Sequence, residues 1–176
     1  MSEIDNRPAY VGFALAYAVG HGLNAVSLKP SWLPWTLLAA GLVAGVVLSV
    51  RAGIWSQPDA ARKRAETLLG IAWCTGFVAL FLAVTGLSTA FEKPELQDVL
   101  WPAGSVLVVG LVYLAEGVAR NNALHYALGS WLALVASASL FLDLRGVYAV
   151  LALAAGGGYA VAAVLERRRL SVAGAR

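Results

Sequence analysis

Ionisable or strongly polar side chains inside apolar stretches are where chemistry is sought first, because burying them in hydrocarbon is costly unless protein or water receives them. Two clusters in this 176-residue chain qualify. His21 and Asn24 stand three residues apart, so on a helix they share one face. Gly20 and Gly22 flank the histidine and leave room for another backbone to come close. Such a pair could line a proton or solute path, or could simply hydrogen-bond to a neighbouring helix.

Glu116 and Arg120 are four apart with the acid first, the favourable order on a helix, and His125 begins the next apolar stretch. If a turn separates the two stretches, the three side chains meet at one depth. The trio could handle protons or ions at the mouth of a bundle. The plainer alternative is a hairpin clasp, with Arg120 reaching towards lipid headgroups.

Small residues form a third pattern. Gly41 and Gly45 make a GxxxG, and Ala152, Gly156 and Ala160 recur at four-residue steps beside Gly157 and Gly158. This spacing lets helix backbones approach closely in a membrane, either within one bundle or between two chains.

Other chemistries lack their residues. There is no P-loop and no HExxH. With Cys74 as the single cysteine and two histidines, a Cys/His zinc site has too few soft ligands. A Ser/His/Asp set would have to join His125 and Asp143 from opposite ends of one helix, about 30 Å apart. Bis-histidine haem ligation meets the same difficulty, with His21 expected near mid-depth and His125 at an edge. No cofactor is expected.

The elements that position these residues follow from composition. The chain is 60% hydrophobic and only 13% charged, about half the charge a water-soluble surface carries. Six stretches are long enough for a helix to cross a hydrocarbon core: 9–28, 32–50, 67–91, 99–118, 123–142 and 146–165. They predict an all-α integral membrane protein, a six-helix bundle in one domain over 1–176 with short loops and no soluble domain. The longest connection, 51–66, can continue as a helix from Ala60 into the third stretch.

Charge orients the bundle. Ten of the thirteen cations fall on one side (Arg7; Arg51, Arg62, Lys63 and Arg64; Arg120; Arg167, Arg168, Arg169 and Arg176), against Lys29, Lys93 and Arg145 on the other. Cytoplasmic loops carry such an excess, so both termini are expected inside. Trp32, Trp35 and Trp101 then sit near the outer interface and Trp55 near the inner one. The first stretch is the weakest. A signal peptide ending at 25–27 is the alternative for it, but Glu3 and Asp5 beside Arg7 deny it the usual positive leader.

Leu69, Gly70 and Trp73 faintly echo Leu128, Gly129 and Trp131, as a parallel repeat in some transporters would. Chance recurrence of common membrane residues explains so short an echo as well. The cations form no basic stripe with interleaved aromatics, so nucleic acid is not an expected partner. The expected partners are the lipid bilayer and, through the small-residue stripes, a membrane protein or a second copy.

The Ala/Leu/Gly/Val/Arg bias suggests a bacterial inner membrane. The first functional expectation is a non-enzymatic accessory, regulatory or interaction module. The second is a small solute or ion transporter or channel using the polar residues of spans one and four. Reporter fusions at Met1, within 51–66 and after Arg169 should all report the cytoplasm. An external amino terminus with the others unchanged would remove the first span.

Overall fold

The structure is a computed structural model that describes residues 6–26, 40, 43, 47 and 60–173. Every element in it is helical, with no strand among the described residues. The first rod is α1 (Arg7–Leu15), a π-helical turn π1 (Ala16–His21) and α2 (Gly22–Val26). Then come α3 (Ala60–Ala90), α4 (Leu96–Ala119) and α5 (Ala123–Ser139). The last rod is α6 (Leu144–Val150), a second π turn π2 (Leu151–Ala155) and α7 (Gly156–Ala173).

Local chemistry sets the joints. Pro8 lies in the first turn of α1, where a missing N–H costs nothing. Between α4 and α5, Asn121 takes the left-handed conformation with φ 50°, and the Asn122 N–H reaches back to the Gly117 carbonyl at 2.8 Å. That is a Schellman ending, with asparagine tolerated where glycine is usual. The Asn122 side chain then caps α5 by accepting from the His125 N–H at 3.1 Å. Asp143 caps α6 in the same way, accepting from the Gly146 N–H at 2.9 Å.

Among the described residues three helices are long and apolar enough to cross a membrane: Lys63–Ala90, Leu96–Ala119 and Leu144–Ser171, with mean hydropathies of 2.1, 1.7 and 1.8. The other expected spans are not of this kind or lie outside the described residues. The first rod carries Gly20, His21, Gly22 and Asn24. At 17 residues, α5 rises only about 25 Å. The second stretch, with Gly41 and Gly45, lies outside the described residues except for Ala40, Val43 and Val47, which are helical and exposed. Helix continues from Ala60 into α3, as the sequence allows. Leu68, Ile71, Val78 and Leu82 of α3 are all more than half exposed. Such an apolar surface suits lipid better than water.

The packed pairs α3–α4 and first rod–last rod run antiparallel. On α3 and α4, Ser88 meets Gln97 while Trp73 meets Glu116. On the first and last rods, Gly22 lies by Ala152 while Asn6 meets Glu166. The core between the first rod, α4, α5 and the last rod includes Tyr10, Val106, Leu132, Leu151 and Tyr159, all at most 1% exposed.

The tightest seam joins α4 to α5 through glycines. A Cβ on Gly110 would lie 2.6 Å from the Ala133 backbone N, one on Gly117 the same from Tyr126 N, and one on Gly129 the same from Leu114 N. None of these backbones can move without parting the helices. The four-residue stripe of the last rod is only partly used. Ala152 and Gly156 are buried, and a Cβ on Gly156 would meet Ala18 N at 3.2 Å, but Ala160 is exposed. The physical reason is drift. Each step of four residues over-rotates an α-helix by about 40°, so the seat passes to Tyr159 and Ala162. The echo between the two Leu-Gly pairs does not extend to the glycines, since a Cβ on Gly70 would meet nothing within 4 Å whereas Gly129 sits in the α4–α5 seam.

Gly129→Ala should therefore lower the stability of the purified protein by about 1–3 kcal/mol, the usual range for overpacking. Gly157→Ala, where a Cβ has open space, should change it little. Equal melting temperatures for the two variants in detergent would show that α4 and α5 do not meet through these glycines.

Candidate functional site

Glu116, Arg120 and His125 come together at the α4–α5 turn, joined by residues the sequence did not single out. The Glu116 carboxylate lies within reach of donors from three helices. Trp73 Nε1 on α3 donates to Oε1 at 3.0 Å, His125 Nε2 on α5 is 3.1 Å from Oε2, and Arg120 Nη1 is 3.6 Å from Oε2. Arg120 also reaches Glu66 at 2.6 Å, so one guanidinium spans two carboxylates. The Glu116 and His125 side chains are 10% and 6% exposed, whereas Arg120 and Glu66 are about a third exposed. Arg120 therefore stands between water and the buried carboxylate.

The other nitrogen of His125, Nδ1, is 2.7 Å from the Tyr10 hydroxyl of α1. An ionised Glu116 only accepts, so a neutral His125 donates from Nε2 and accepts at Nδ1 from the Tyr10 hydroxyl. The result is a buried carboxylate–imidazole–phenol chain whose hydrogen bonds all point towards Glu116. Tyr113 packs on the imidazole with ring centroids 4.4 Å apart and fixes its plane.

His21 and Asn24 are buried but stand apart from this cluster. They lie eleven or more residues beyond Tyr10 on the first rod, about 16 Å along its axis for His21. Tyr17 and Tyr148 flank His21, with ring centroids at 5.2 and 5.7 Å. Among the described residues neither His21 Nδ1 nor Asn24 Nδ2 has a hydrogen-bond partner. Tyr159 meets Tyr113 edge-on, with ring centroids 6.1 Å apart.

A third buried group is Glu166 on α7, with no exposed surface. It accepts from the Asn6 side chain at 3.3 Å and is paired with Arg169 through two contacts of 3.0 Å. This arrangement ties the start of the first rod to the end of the last and leaves the carboxylate well satisfied.

The sequence reading missed Tyr10, Trp73, Glu66, Glu166 and the core tyrosines. A signal was present: Tyr17, Tyr113 and Tyr159 fall inside apolar stretches, whereas membrane tyrosines gather at the interfaces. Five of the six tyrosines are at most 6% exposed. Among the described residues no group of three or more His, Cys, Asp or Glu is placed to hold a metal ion. The chain matches no family model, no curated protein and no solved structure.

Tyr10→Phe should cost about 1–3 kcal/mol, because it leaves the buried His125 Nδ1 without its donor. Tyr126→Phe, at a tyrosine 49% exposed, is the control and should be neutral. Denaturation in detergent measures both. A Tyr10→Phe protein as stable as the control would mean that the phenol–imidazole bond contributes nothing.

Proposed function

We propose that this protein is a six-span bundle of a bacterial inner membrane, with both ends in the cytoplasm, and that it moves protons. The cation asymmetry supports the orientation. So does the meeting of Asn6 with Glu166 at the end of the bundle that also holds Glu116 and Arg120. The reading as a transporter or channel now stands ahead of the accessory module. The observation that carries it is the buried Glu116–His125–Tyr10 chain.

A hairpin clasp needs only Glu116 and Arg120. It has no use for an imidazole aligned between a carboxylate and a phenol at 3.1 and 2.7 Å. Such a chain passes a proton by concerted hops. A proton arriving on the Tyr10 oxygen lets Tyr10 release its own to His125 Nδ1. His125 then releases its Nε2 proton to Glu116 Oε2, so one proton enters and one arrives. The Arg120 charge favours the ionised carboxylate and so favours onward release at the inner face.

Two π turns in the core add support, since such turns recur at functional sites. The accessory-module reading keeps one observation of its own. An apolar groove of about 390 Å³ runs between α5 and the last rod, lined by Trp131, Leu153, Gly158 and Val161 among others. A partner helix or an acyl chain would fit it.

The test is proton flux into liposomes that contain the pure protein and an internal pH dye, driven by a potassium diffusion potential. Wild type should acidify the lumen faster than protein-free liposomes. Glu116→Gln should slow this roughly ten-fold or more, as loss of a proton-transfer group does. Wild-type flux no faster than that of empty liposomes would sink the proposal and return the accessory reading to first place.

A further inference from the structure

We infer that the groove between α5 and the last rod holds one acyl chain of an anionic phospholipid, with the headgroup phosphate at Arg168. This inference rests on the membrane location proposed above and is independent of proton transfer.

Three observations carry it. The first is what lines the groove. It measures about 390 Å³, a size usual for ligand sites. Leu128 and Ala162 are buried at its floor, whereas Trp131, Val161 and Leu153 stand 48%, 59% and 78% exposed along its rim. At Gly157 a Cβ would meet nothing within 4 Å, so the missing side chain leaves open space. The Trp131 indole N–H already donates to the Ala154 carbonyl at 2.8 Å and asks nothing of an occupant. Methylenes suit such walls. A hydrated solute would lose its water there without gaining a partner.

The second observation is length. Ala154 and Leu165 both line the groove and are eleven residues apart, about 16 Å along the rod. That is close to half of a hydrocarbon core about 30 Å thick. Ala154 is also eleven residues from Asp143, which caps the other end of this rod, so the groove stops near mid-depth. One leaflet's acyl chain has this reach. A partner helix crossing the membrane would need a groove that continued through both leaflets.

The third observation is charge at the mouth. Arg168 follows Val161 by seven residues, two turns on along the face that lines the groove. It is exposed, one turn beyond Leu165, and Arg167 beside it is exposed too. Glu166 does not offset them, because it is wholly buried and paired with Arg169. An arginine there can lay its stem on apolar surface and offer paired N–H donors to a phosphate.

Native mass spectrometry of the detergent-purified protein, given phosphatidylglycerol or phosphatidylcholine at equal concentration, tests this. Wild type should retain phosphatidylglycerol roughly five-fold better, the contribution of one cation at a membrane surface. Arg168→Gln should erase that preference. Arg145→Gln, which removes the same charge at the other end of the last rod, should keep it. Gly157→Leu fills the groove and should lose both lipids while melting like the wild type in detergent alone. Equal retention of the two lipids by wild type would overturn the inference, and so would full retention by a folded Gly157→Leu protein. If Gly157→Leu unfolds, the wild-type preference and its loss in Arg168→Gln decide. A wild-type dimer that Gly157→Leu makes monomeric would give the groove to a second copy and also overturn it. A protein that stays dissolved without detergent or lipid would overturn the membrane location as well, whereas lipid indifference in a detergent-dependent protein overturns this inference alone.

Discussion

The contact on which the rest depends is the approach of α4 to α5 through Gly110, Gly117 and Gly129. Helices faced with ordinary side chains lie 8–10 Å apart. Here a single methyl on any of the three would come within 2.6 Å of the facing backbone. Glu116 precedes one of these glycines by a single residue, and its partner His125 precedes Tyr126, which faces that glycine. The seam therefore fixes the carboxylate–imidazole distance. Asn121 and Asn122 keep the turn short enough for the two helices to stay in that register.

Charge at the α4–α5 turn is arranged with the same economy. Glu116 would be intolerable alone in an apolar core, yet its two oxygens take an indole N–H, an imidazole and the edge of a guanidinium. Each comes from a different element or a different turn, so the ionised carboxylate holds α3, α4 and α5 together. Glu166 shows what a purely structural carboxylate looks like in the same protein. It is wholly buried, pairs through both oxygens with one edge of the Arg169 guanidinium, and accepts from Asn6.

Much of this was legible beforehand, though unevenly. The apolar stretches located every described helix to within a few residues at most ends, because twenty apolar residues in a row have few other uses. The placement of Glu116, Arg120 and His125 followed from helical spacing plus a turn. Tyr10 could not be found that way, since it joins His125 across 115 positions of chain. Nor could Trp73, whose indole looks like packing until Glu116 is opposite it. The glycine seam was missed for a related reason. Gly110, Gly117 and Gly129 do not share a four-residue spacing, and the pattern that did, Ala152, Gly156 and Ala160, drifts off the contact after two members. Six crossings were expected; among the described residues three helices meet the length and hydropathy of a span, since polar residues weaken the first rod, α5 is short, and the second stretch lies almost wholly outside the described residues.

The π turn in the last rod also determines how this helix reads as a ruler. A helix of uniform pitch lets any position be deduced from any other by counting. Here the count slips by one residue between Leu151 and Ala155, so the stretches on either side keep separate phases. Removing one residue from within the turn would let it close to an ordinary α turn and leave the stretches on either side in the phases they now hold. Removing one of Gly156, Gly157 and Gly158, beyond the turn, would instead rotate everything that follows by about 100°. Tyr159 would swing away from Tyr10 and Tyr17, and Glu166 would leave Asn6, although no side chain had been changed. In this rod the place of a deletion, more than its size, decides the damage.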